Sequence, residues 1–165
     1  MKVLKFGGTS VANAQNISLV IDIVTEASKS EPLVAVVSAF SGVTDLLLLA
    51  SEKAAAKDKI YIEIVSQIDQ KHKETIYKLV AVIDQSELLE TINSNLNHLK
   101  TLLDGCFLLG ELSNRTSDTI VSYGELLSSQ IIAKALGQKI AKVNFKDSRL
   151  FVLINNLLSD RRAHV

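Results

Sequence analysis

Two rhythms of apolar positions divide the chain. Lys2 to Phe6 is a short apolar-rich run that stops at Gly7-Gly8, which predicts a buried strand feeding a tight glycine turn. Val11, Ile17, Val20, Ile21 and Val24 then recur at helical spacing, until Ser28 to Pro32 supplies polar and breaker residues. Leu33 to Val37 is the next β-rich run, ended by Ser38-Ala39-Phe40-Ser41-Gly42. Strand, glycine turn, helix and strand in that order predict a βαβ unit whose second strand returns parallel to the first. Both strand-end loops then lie at the same edge of the sheet.

From Thr44 to about Leu136 the period is helical. Ile60, Ile64, Ile68, Ile76, Leu79, Val80 and Ile83 form one stripe, and Leu88, Leu89, Ile92, Leu96, Leu99 and Leu103 form another after a polar break at Asp84-Gln85-Ser86. This predicts a helical hairpin beside the sheet. A third long helix, roughly Asn114 to Leu136, carries Ile120, Val121, Leu127 and Ile131, with Gly137 where a C-terminal cap is expected. Lys139 to Phe145 alternates as a further strand, Asp147-Ser148-Arg149 makes a turn, and Leu150 to Ile154 fits one more short strand.

Composition narrows the partners. A chain of 165 residues with 47% hydrophobic content can bury one full core, as a single domain or one large lobe of something bigger. Eighteen basic and eighteen acidic residues balance, and no Lys/Arg run stands out, so nucleic acid and anionic membrane are not expected partners. The longest apolar runs, such as Leu46 to Ala50, fall far short of the roughly 20 residues that cross a bilayer. The single cysteine, Cys106, and the lack of a signal-peptide apolar region after Met1 favour the cytoplasm.

Lys5-Phe6-Gly7-Gly8-Thr9-Ser10 places a cation, two residues without side chains and two hydroxyls at one strand-to-helix junction. Glycines let backbone N–H groups approach an anion, the start of the following helix adds donors, and Lys5 adds a full charge. The spacing is neither the Walker A pattern nor the dinucleotide fingerprint. On these residues alone, a tight turn beside a surface lysine fits equally well. Ser38 and Thr44 read alone as a strand end and a helix N-cap. Glu125 lies in an apolar helical stretch, so it either faces solvent or meets a cation. His72, His98 and His164 are too scattered for a metal site and read as ordinary surface or helix-flank residues; Cys106 reads as a buried, inert thiol. Glu111 and Arg115, spaced i,i+4, are expected to form a helix-end ion pair, with Asp118 as a second partner for Arg115.

The opening stretch Lys5-Phe6-Gly7-Gly8-Thr9-Ser10-Val11-Ala12-Asn13 resembles the first motif of aspartate kinases, members of the amino acid kinase family. Three further segments resemble that family in the same order: Val37 to Thr44, Leu108 to Leu112, and Ser122 to Ser128. The resemblance implies a three-layer αβα amino acid kinase (carbamate kinase-like) fold. Residues 1–165 would form its N-terminal, substrate-binding lobe, with a helical subdomain inserted at about 45–136. It further implies ATP-dependent phosphorylation of the L-aspartate side chain to 4-phospho-L-aspartate, with ATP arriving as its Mg2+ complex. Lys5 would neutralise charge on the transferring phosphoryl group, Gly7 and Gly8 would donate backbone N–H groups to phosphate oxygens, and Ser10 would assist. Ser38, Thr44 and Glu125 would hold aspartate, Glu125 at its ammonium group. No protein metal site is expected, and no general base is needed, because the attacking carboxylate is already ionised at pH 7.

The resemblance also says what should be missing. A Gly-Arg-Gly-Gly-Ser-Asp segment, the nucleotide-binding lobe and the regulatory domains are not found, so these residues by themselves are expected to show no kinase activity, and homo-oligomerisation is expected of the full-length enzyme. Ala12-Asn13 is reminiscent of enzymes that fuse aspartate kinase to homoserine dehydrogenase. A kinase of another small amino acid or carbamate, and a non-catalytic aspartate-binding lobe, are the alternatives.

Overall fold

A computed structural model describes residues 1–150. Strand β1 (Lys2–Phe6) pairs in parallel with β2 (Leu33–Val37), in register from Lys2 opposite Leu33 to Phe6 opposite Val37. Helix α1 (Ala14–Ser28) makes the crossover between them. Four helices follow: α2 (Val43–Ala55), α3 (Tyr61–Leu79), α4 (Val82–Leu109) and α5 (Asn114–Gly137), then a single 3-10 turn at Ser148–Leu150. The expected βαβ unit is present, and helices follow it where helical periodicity was expected.

The strands alternate as the pleat demands. Leu4, Phe6, Leu33, Ala35 and Val37 pack against the core, whereas Val3, Val34 and Val36 are 60%, 44% and 44% exposed on the other face. The strands are therefore half-buried, not buried on both faces as sequence alone suggests. The main core lies between the helices, where Leu47, Ile68, Ile76, Ile92, Leu99, Leu103, Ile120, Leu127 and Ile131 are wholly enclosed. Burying each such side chain contributes about 1.5–3 kcal/mol before entropy is counted.

Boundaries move where capping chemistry competes with apolar period. The α3–α4 break falls at Val80-Ala81, both in extended conformation, and not at Asp84-Gln85-Ser86. Those three polar residues instead lie inside the start of α4, as its third to fifth residues, where Gln85 Nε2 donates to the Val80 carbonyl at 2.8 Å and Asp84 sits at the positive helix end. Ile83 consequently leaves the stripe and is 91% exposed. Helix α1 starts six residues after Gly8, because Asn13 is the cap: its Oδ1 accepts from Asn16 N at 2.9 Å. The intervening turn lets Val11 reach the core, fully buried.

At the far end Gly137 closes α5 as its last residue and Gln138 caps it. Lys139 to Phe145 forms no strand, since β1 and β2 bond only to each other and offer this segment no ladder among the described residues. The expected strand from Leu150 to Ile154 lies, beyond Leu150, outside the described residues. Glu111 precedes α5 while Arg115 lies within it, and among the described residues neither forms an ion pair. No helix among them is long and apolar enough to cross a membrane.

Candidate functional site

Parallel pairing puts the C-terminal ends of β1 and β2 side by side, so Gly7-Gly8 and Ser38-Ala39 become neighbours. Ser38 N donates to the Phe6 carbonyl at 3.0 Å, extending the ladder one residue past β2. A Cβ built on Gly8 would lie 3.9 Å from the Ala39 carbonyl oxygen, while one on Gly7 would meet nothing within 4 Å. Both glycines are half-buried, with free space on the side where a Cβ would stand at Gly7 and ordinary van der Waals contact at Gly8. Ser10 N closes the turn onto the Gly7 carbonyl at 2.9 Å, and Ser10 itself is half-buried.

Helix α5 docks on the same edge. Ser128 Oγ donates to the Ser38 carbonyl at 2.8 Å, and Ala39 N donates to Glu125 Oε1 at 3.4 Å. The approach needs Gly124, where a Cβ would come within 2.8 Å of the Ala39 Cβ. Glu125 is thus half-buried beside the strand-end loops, held by one long backbone contact and without an ion pair among the described residues. The apolar helix that carries it would not bury it unpartnered without cost.

Thr44 occupies the first turn of α2, half-buried, but it is not the cap: that position belongs to Gly42, at φ 77° with no side-chain bond. Lys5 projects from the open face of β1, opposite Val36 in register. It is exposed and makes no hydrogen bond or ion pair among the described residues. The structure therefore gathers Gly8, Ser38 and Glu125 at one edge and leaves Lys5 on the adjacent open face without a contact to them. Two surface concavities, of about 560 Å³ beside Ile23 to Ser30 and about 470 Å³ between α4 and α5, lie elsewhere.

Residue chemistry alone missed three features. His72 is not a surface residue; it is fully buried, its ring stacked on Phe40 at 5.0 Å, and burial pushes its imidazole down to about 4. Nothing but its place in the Ile68 and Ile76 stripe, one turn from each, could have revealed that. Ser128 lay within the Ser122 to Ser128 segment, but only packing shows it holding the Ser38 carbonyl. Arg149 pairs with Asp147 at 2.8 Å and lies 5.0 Å over the Tyr123 ring, beside Gly124-Glu125. The Arg149 guanidinium holds the Asp147 carboxyl below its ordinary range. Cys106 is buried as expected, and burial pushes its thiol up. No cluster of three metal-ligating side chains occurs among the described residues.

Known proteins match most of the chain. A bifunctional aspartokinase/homoserine dehydrogenase 1 of Zea mays, chloroplastic, is 32% identical over 153 residues, which cover 93% of this chain and 16% of that protein. Aspartokinase 1, chloroplastic, of Arabidopsis thaliana is 39% identical over 137 residues, covering 81% and 23%. The aspartokinase of Chlamydia pneumoniae is 32% identical over 161 residues, covering 98% and 32%. The chain thus spans about a sixth of the length of the bifunctional relatives it matches. E. coli aspartokinase III in complex with aspartate and ADP superimposes with a TM-score of 0.72 at 26% identity, over 84% of this chain and 29% of that one, so the α/β arrangement has the amino acid kinase fold. The amino acid kinase family matches residues 1–161, and the chain belongs to that family.

Proposed function

We propose that residues 1–165 form the substrate-binding lobe of an aspartate kinase, which transfers the γ-phosphoryl group of ATP to the aspartate side chain. The observation that carries this is the half-buried Glu125 carboxylate, delivered by α5 to the loop at the end of β2 and lacking a cation among the described residues. An amino acid ammonium supplies the missing charge, with charge-assisted geometry that a neutral ligand cannot match. Ser38 and Thr44, at the β2 end and in the first turn of α2, flank the same loop and hold the rest of the substrate. The names of the relatives and the aspartate–ADP complex of the E. coli enzyme support this choice of amino acid.

Lys5, Gly7, Gly8 and Ser10 serve the phosphate side. Phosphoryl transfer asks for positioning and charge stabilisation, not covalent chemistry, and an exposed ammonium beside a glycine turn provides both. Mg2+ would enter on the nucleotide phosphates, whose charge it neutralises in phosphoryl transfer. The open face of the sheet, with Val3, Val34 and Val36, would meet the remainder of the catalytic domain.

Calorimetry on this chain with aspartate, glutamate and ATP tests the reading. Aspartate heat that is lost in Glu125→Ala supports it; selective glutamate binding, or aspartate binding indifferent to Glu125, overturns it. A coupled assay is expected to show no aspartate-dependent ATP turnover by these residues alone.

A further inference from the structure

The loop from Ser38 to Ser41 is held residue by residue from outside. Ser38 is tied through N to Phe6 of β1 and through its carbonyl to Ser128 of α5, and Ala39 N is tied to Glu125. Phe40 is buried and stacks on the His72 ring of α3, with ring centroids 5.0 Å apart and planes 22° apart. The Ser41 carbonyl accepts from Lys71 Nζ at 2.5 Å, and Val43 N returns to the Phe40 carbonyl at 2.9 Å. Two consecutive residues of α3 therefore hold the outer half of a loop whose inner half belongs to β1 and α5. The His72 ring is itself fixed, because its Nδ1 bonds the Ile68 carbonyl at 2.7 Å.

We propose that Lys71 and His72 are positioning residues: from α3 they brace the Phe40–Ser41 half of the loop and so set where Ser38 presents its hydroxyl to the ligand. Neither residue belongs to the four segments that carry the family resemblance. The physical reason is one of leverage. Ser41 and Gly42 are exposed and Gly42 has left-handed backbone, so without the clamp this half would sample several conformations. Small displacements of a binding group are costly to recognition. The inference rests on the aspartate-site reading only for the identity of the ligand.

The test compares Lys71→Met, Lys71→Arg, His72→Ala and His72→Phe, the last keeping the stacked ring, by amide hydrogen exchange and aspartate calorimetry on this same chain. Expected are faster exchange at Ala39 and Val43 in Lys71→Met with amides of α4 unchanged, and roughly ten-fold weaker aspartate binding. Lys71→Arg and His72→Phe should restore both. Unchanged exchange at Ala39 and Val43 in Lys71→Met overturns the inference, as does unaltered aspartate affinity once the loop has loosened. If the unmodified chain gives no aspartate heat, the substrate reading falls, and the exchange data alone decide the bracing. Should His72→Ala fail to fold, the Lys71 pair, on the partly exposed side of α3, still decides between a braced loop and a free one.

Discussion

Two glycines in helix interiors offer a controlled measurement of how tightly α5 presses on the Ser38–Ser41 loop. Gly105 in α4 has nothing within 4 Å of where a Cβ would stand. Gly105→Ala should therefore show only the helix-propensity gain, about 0.5–1 kcal/mol more stable. At Gly124 the same methyl would sit 2.8 Å from the Ala39 Cβ, 3.3 Å from Leu47 Cδ1 and 3.7 Å from Val43 Cγ1. Ala39 is 3% exposed and its N–H is committed to Glu125, so it has little room to retreat. Overpacking of this kind costs about 1–3 kcal/mol, which outweighs the propensity gain. Because both changes are Gly to Ala within a helix, propensity cancels in their difference and the remainder measures the close approach. Urea unfolding of the two variants should differ by about 1–3 kcal/mol, with midpoints separated by roughly 2–12 °C on heating. Gly124→Ala should also loosen the Glu125 contact, and under the proposed role of Glu125 it should weaken aspartate binding. Equal stabilisation by both substitutions would refute the packing argument, because the α5–loop contact would then be shown to yield freely.

Other consequences follow from single groups. His72 titrates near 4 in the folded chain against about 6.5 unfolded. Between those values the unfolded chain binds the extra proton, so stability falls as pH drops from about 6.5 to about 4, by up to roughly 3 kcal/mol. Nearby Asp69 opposes the shift and Lys71 adds to it, but burial is the largest cause. Urea midpoints at pH 7 and 4.5 should diverge less in His72→Phe than in the unmodified chain; identical pH dependence would contradict the buried, neutral ring. Ser128→Ala removes the donor to the Ser38 carbonyl and should cost about 1–2 kcal/mol, with faster exchange at Ala39; a neutral result would mean that water replaces the hydroxyl.

The βαβ opening was legible because Leu33 to Val37 and the stripe Ile17, Val20, Ile21, Val24 carry unambiguous periods, and periodicity depends only on which side chains must leave water. The resemblance in four ordered segments likewise needs no coordinates. Less legible were the boundaries. Asp84-Gln85-Ser86 reads as a break and acts as a helix start, because polar residues serve both ends and only the Gln85 bond to Val80 distinguishes them. Lys139 to Phe145 alternates like a strand but forms none, since a strand exists only with a neighbour to take its backbone bonds.

Within the site, the chain order determined which residues were available: Lys5, the glycine pair, Ser38, Thr44 and Glu125 could all be named from the sequence. Tertiary structure decided which of them meet. Glu125 stands 86 positions from Ala39 and Ser128 stands 90 from Ser38, and nothing local records that α5 would cross the end of β2. Nor did spacing disclose that His72 would lie under Phe40. Periodicity specifies a face, while its partner is chosen by the packing of all the helices at once, and contacts between distant residues therefore appear only when the core closes.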